Sequence, residues 1–310
     1  MSGWLRSARR APGHRAILST PRLRHVLGPP LALGSSLTGG ACDFIGGTTS
    51  RRVGTLQYMF LTQLIGLALA GAWVVISGET LPGVVTLAAA AGAGLGLMVA
   101  LCAFFQAMVV GTISIVAPIS ATGVVVPIVA GIVGGDRLGA AQAAGIVAAI
   151  AGIVLASRPP REALHASAAP ASAESGVGLA LLAALGGGLF FWLMAPASRH
   201  GVPWALLIAR AIPVLILAAA IRTRRASLRP SLEAPIAGIV IASSVLAFVS
   251  IALYAFATRH GQLAIVSVLA SLYPVVTVLL AYRVLGERVH RAQQFGIATV
   301  LAGVVLMSAG

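Results

Sequence analysis

The chain has 310 residues, 58% of them hydrophobic and only 9% charged, with a mean hydropathy of +0.99. Soluble domains carry about 25% charged residues, and no core at this length buries so much apolar surface, so lipid is the expected solvent. The formal charge is +14 and every basic residue is Arg. These arginines sit in short connectors without aromatic interleaving, which points to membrane flanks and away from nucleic acid. With no Lys there is no P-loop.

Taken in chain order, residues 1–25 hold six Arg and no acid. No small-residue cleavage site follows a short apolar core, so this reads as a basic tail rather than a secretory signal. Apolar spans then recur at 26–48, 54–77, 82–109, 111–133, 139–157, 176–197, 203–221, 234–257, 261–283 and 292–309. The connector 158–175, "RPPREALHASAAPASAES", has the Pro, Ala, Ser and charge of a flexible linker and divides the spans five and five. The expected organisation is therefore a tail (1–25), a first half (26–157), a linker (158–175) and a second half (176–309).

The halves resemble one another. "GDRLGAAQAAGIVAAIAGIVLAS" (135–157) aligns with "GERVHRAQQFGIATVLAGVVLMS" (286–308), matching Asp136 to Glu287, Gln142 to Gln293, Gly145 to Gly296 and Gly152 to Gly303. Gly111 likewise matches Gly261, and Gln63 falls against Arg210. An odd number of spans per half makes the second half enter the membrane from the opposite side. The expected fold is an all-α membrane protein: ten transmembrane helices in two inverted five-helix repeats around a central cavity, an architecture of secondary transporters.

At these residues the chain resembles the drug/metabolite transporter superfamily, EamA-type branch. The resemblance runs from about residue 31 to 309. It is carried by "GDRLGAAQAAG", "GERVHRAQQFG", "GGACDFIGGTTSRR" (39–52) and "GGGLFFWLMAPASRHGVPWALLIAR" (186–210). It implies that the first four helices of each half line a cavity and the fifth lies at the periphery. It also implies transport of amino acids, other metabolites, drugs, sugars or nucleotide-linked compounds, without fixing which. Asp136 departs from the family's usual Glu, a conservative change.

Two charges fall inside spans, Asp43 and Arg210. Each costs about 2.5–3.5 kcal/mol facing lipid, so both are expected to face the interior. One reading is a split dipolar site, with Asp43 attracting an ammonium and Arg210 clamping a carboxylate. The others are an Asp43–Arg210 structural pair and an interfacial Asp43–Arg51 pair. Gln63, Gln106, Trp192, Ser114, Tyr254 and Ser267 are candidate neighbours in a substrate site, although Ser and Thr more often cement helix contacts and Trp192 equally suits an interfacial anchor.

The histidines fall in connectors or the tail, and Cys42 and Cys102 read as packing residues, so no metal, cofactor or disulfide is implied. One Asp and no His within spans argue against an enzyme. The glycines 145/152 and 296/303 recur every seven residues, a packing face toward the bundle or toward a second copy, a homodimer through 139–157 or 292–309. Pro118, Pro127, Pro213 and Pro274 free carbonyls and bend spans, as static kinks or as pivots.

Connector arginines number 3 on the terminal side and 11 opposite. The tail brings this to 9 against 11, which sets no orientation, whereas the resemblance favours cytoplasmic termini. The expected function is a secondary carrier in the cell membrane, moving a small polar metabolite, amino acid-like and outward, by alternating access. The alternative is a lipid or lipid-linked precursor flippase on the same fold.

Overall fold

The computed structural model describes residues 21–110, 116, 119–157, 173–223, 234–286 and 291–309. Most of the basic tail and of the linker lie outside these residues. In chain order the elements are α1 (Pro21–Val53), α2 (Thr55–Ser77), α3 (Val84–Val110), a 3-10 turn (Thr122–Val124), α4 (Val125–Val133), α5 (Ala140–Ala156), α6 (Ala173–Ser198), α7 (Val202–Thr223), α8 (Ala234–His260), α9 (Leu263–Ala270), α10 (Tyr273–Leu285) and α11 (Arg291–Ala309). No strand occurs among the described residues. Six segments are long and apolar enough to cross a bilayer: 55–77, 84–107, 176–198, 202–223, 234–260 and 263–285. The chain is a multi-pass integral membrane protein.

Local chemistry sets where these helices stop. Gly78 and Gly286 take left-handed conformations after α2 and α10, returning their N–H groups to Val74 and Ala281. Gln142 reaches back to the N–H of Gly139 at 3.0 Å and closes the start of α5.

One expected span is broken. The stretch read as a single helix over 261–283 ends as α9 at Ala270 and resumes as α10 at Tyr273. Pro274 has no N–H to offer the carbonyl of Ala270. The N–H of Leu272 turns to Leu269 (3.4 Å) and that of Val275 to Leu272 (2.9 Å), which tightens the backbone into an i to i−3 turn. A 3-10 turn likewise interrupts the fourth span at Thr122–Val124. Pro118 is outside the described residues.

Helix pairing follows the small residues. α3 packs along α6 and α8 along α1, while α3 also meets α7 and α2 meets α8. α2 lies against α7, and α5 against α11. Exchanging the first five spans for the last five maps each of these contacts onto another or onto itself. The match extends to single residues. A methyl on Gly40 would lie 2.6 Å from the carbonyl oxygen of Tyr273 and 2.5 Å from Cβ of Val276; one on Gly188 would meet the carbonyl of Gly123 and Cβ of Val126. Tyr273 and Val276 follow Gly123 and Val126 by 150 positions each.

The seven-residue glycine faces meet each other. A methyl on Gly145 would sit 2.7 Å from the carbonyl oxygen of Gly303, and one on Gly152 would sit 2.7 Å from that of Gly296, so α5 and α11 run antiparallel. Neither glycine face is left for a second copy; the outward sides carry Val147, Leu301 and Val305. Because overpacking a tight contact costs about 1–3 kcal/mol, Gly152→Val is expected to lower the thermal unfolding midpoint in detergent, while Val147→Ala leaves it within error.

Candidate functional site

Asp43 is carried on α1, roughly 120° around the helix from the exposed Leu37 and on the side of the buried Ala32 and Ser36. Its side chain is reachable by water, yet protein surrounds it. An exposed carboxylate with this much protein around it sits in a concavity, the recess beside Asp43. Tyr273, the first residue of α10, has the same character: it is 37% exposed but enclosed, and it interacts electrostatically with Asp43.

The helix break puts Tyr273 there. Its Cβ would lie 3.6 Å from a methyl on Gly39, and Thr277 donates to the carbonyl of Gly40 at 3.1 Å, so the first turn of α10 is seated on the turn of α1 preceding Asp43. Tyr58 on α2 completes this side. Gly46 leaves room for its hydroxyl, which donates to Ser243 at 3.0 Å, and it too feels the Asp43 charge.

Arg210 sits elsewhere. It is 2% exposed on α7, and its Nη1 donates to Oε1 of Gln63 on α2 at 2.7 Å. Gly66 makes the slot: a methyl there would lie 2.7 Å from Nη1 and 2.9 Å from the guanidinium carbon. Nε and Nη2 have no hydrogen-bond partner. Arg210 is therefore not paired with Asp43, and in this conformation it does not open on the recess. Cys42, the neighbour of Asp43 in sequence, is a free thiol. The Asp43–Arg51 alternative depends on a side chain outside the described set.

The remaining candidates separate. Tyr254 is buried, its hydroxyl donating to the carbonyl of Phe191 (2.7 Å) and meeting Oγ of Ser267 (2.9 Å), so the two tie α8, α6 and α9 together. Trp192 is 40% exposed and lies in helical register with Leu181, Leu185 and Leu189, on the outward stripe of α6. Gln106 continues the exposed line of Val84, Leu95 and Cys102 on α3. Ser114 lies outside the described residues, as does Glu287.

Asp136, the motif acid of the first half, is also remote from the recess: its Oδ2 accepts the N–H of Ala264 at 2.9 Å. Neither Tyr58 nor Tyr273 is among the candidate site residues of the sequence. The available signal was Pro274, which marks the break that frees Tyr273 from a regular helix.

A solved crystal structure of a protein shares this fold, with a TM-score of 0.74 at 16% identity, over 92% of this chain and 97% of that one. Among curated proteins none matches. Residues 174–309 match the EamA-like transporter family. The second half of the chain is thus an EamA-like transporter domain, consistent with the drug/metabolite transporter superfamily.

Proposed function

We propose that the protein is a secondary carrier that moves a small polar organic solute by alternating access between two inverted five-helix halves. The family match supports a membrane transporter of this superfamily, a family that is generally non-enzymatic. The exchange pattern of helix contacts and the antiparallel crossing of α5 and α11 support the inverted relation. If two halves are related by an axis in the membrane plane, equivalent helices meet antiparallel and equivalent residues meet on the axis. Gln63 and Arg210, aligned in sequence and bonded to each other, have that relation.

The observation that carries the reading is Asp43. It is an exposed carboxylate with protein around it, beside two tyrosines and a break in a spanning helix. Such a group offers a cationic function of the solute a charge-assisted contact worth about 1.5–3 kcal/mol. Arg210 is the complementary group. Its Nε–Nη2 edge is the fork that a carboxylate fills bidentately, and engaging it requires the slot at Gly66 to open. Tyr58 and Tyr273 supply hydroxyls beside the charge. Trp192 and Gln106 are left out of this site, and direction and solute identity are for the assay.

Uptake of an isotope-labelled panel of amino acids, other amines, organic acids and lipid-linked precursors into proteoliposomes tests the reading. Asp43→Asn is expected to cut transport of the responding solute about tenfold or more with an unchanged yield of monodisperse protein. Trp192→Ala and Gln106→Ala are expected to leave the rate unchanged. Normal transport by Asp43→Asn, or response only to lipid-linked compounds, overturns it.

Gln63 has a separate expectation. Gln63→Leu removes the one acceptor that the described residues give a buried guanidinium, a charged hydrogen bond worth about 1.5–3 kcal/mol. The double variant Gln63→Leu/Arg210→Met is expected to be more stable than Gln63→Leu alone in chemical denaturation, because no buried charge is stranded.

A further inference from the structure

Four contacts between the two halves lie at one end of the bundle, the end that carries the turns after α2, α4, α6 and α8. Asp136 follows α4, and its Oδ2 accepts the N–H of Ala264 in the first turn of α9 at 2.9 Å. Beside it, Nε2 of Gln262 donates to the carbonyl of Arg137 at 3.2 Å. Glu79, after α2, accepts from Nε1 of Trp204 through its carbonyl at 3.0 Å, and its carboxylate covers Gly201 at the start of α7. Gly28 on α1 lies so close to Gly261 that a methyl would come within 2.7 Å of its Cα.

Behind these contacts α9 is a plug. Every residue from Ala264 to Ala270 is buried. Past the Ser271–Leu272 break, Leu279 and Tyr282 of α10 are exposed. The exposed Asp43 and Gly47 of α1 lie on the far side of the plug from Asp136, and Ser36, nearer to it, is 2% exposed.

We propose that Asp136 is the latch of a gate: its carboxylate holds the N-terminus of α9 across the two halves and keeps the Asp136 end shut, and release lets α9 swing about the Ser271–Leu272 break. The acid of the "GDRLGAAQAAG" motif thereby acquires a mechanical role, between a turn set by Gly135 (φ 104°) and the backbone of the opposite half. A carboxylate suits this because an ionised acceptor binds the free N–H groups of a helix start more strongly than a neutral one. Gly131 is small for the same reason: a methyl there would strike Oδ2 of Asp136 and lie 3.0 Å from the nitrogen of Ala264. The inference rests on the carrier reading for its purpose, but its test follows the gate without any solute.

The full chain, with Cys42→Ser and Cys102→Ser, is reconstituted in liposomes with Ser36→Cys as reporter, and a membrane-impermeant maleimide is applied to the face bearing Asp136. With Asp136 intact, labelling is slow. Asp136→Ala is expected to speed it about tenfold, and Asp136→Glu to restore most of the protection. Gly131→Ala, which displaces the carboxylate without removing it, is expected to speed labelling likewise. A second reporter, Gly47→Cys, reads the opposite face and is not expected to gain reactivity. The proposal is overturned if monodisperse Asp136→Ala and Gly131→Ala proteins label Ser36→Cys at the parent rate. Equal acceleration from both faces, which marks general loosening, also overturns it.

Discussion

In a bilayer an apolar side chain gains nothing by leaving lipid for another helix, so helices associate only where their surfaces fit closely enough for dispersion to decide. This chain meets the requirement by bringing backbone against backbone. Gly96 and Gly186 leave no room for a methyl between α3 and α6, and Gly145 with Gly303 does the same between α5 and α11. Most of these approaches run between the halves. They set the register of the helices of one half against those of the other.

That frame explains how the chain tolerates two charges within its spans. Asp43 keeps access to water and is flanked by hydroxyl-bearing side chains, so it escapes the full cost of an ion in hydrocarbon. Arg210 takes the other route. It is sealed into a glycine slot and held by one neutral acceptor, with Nε and Nη2 unpartnered among the described residues. A buried guanidinium in that condition is costly, and proteins keep such groups where a change of state or a ligand relieves the cost. The two charges are thus poised differently in one structure.

Several features were legible before any coordinates. The spans are local sums of hydropathy, so their number and rough limits can be read along the chain, and the acid-x-x-x-x-x-Gln-x-x-Gly motif reveals the internal duplication. The interior placement of Asp43 follows from the cost of the alternative. Less legible was the break at Ser271–Leu272: Pro274 announces a missing hydrogen bond, but a proline in a spanning helix more often bends it than divides it.

What sequence alone determined here is the membrane class, the twofold organisation and the presence of two charges that lipid cannot accept, because each depends on a property that adds up residue by residue. Which faces meet was decided by tertiary structure. These helices are apolar on every side, so no hydrophobic stripe distinguishes inside from outside, and Trp192 and Gln106 read as well for the interior as for the outward surfaces they occupy. The same uniformity hid the bond between Gln63 and Arg210 and the reach of Asp136 to Ala264. Both join residues more than a hundred positions apart, and only the glycine-set approach of the two halves brings them within hydrogen-bond distance.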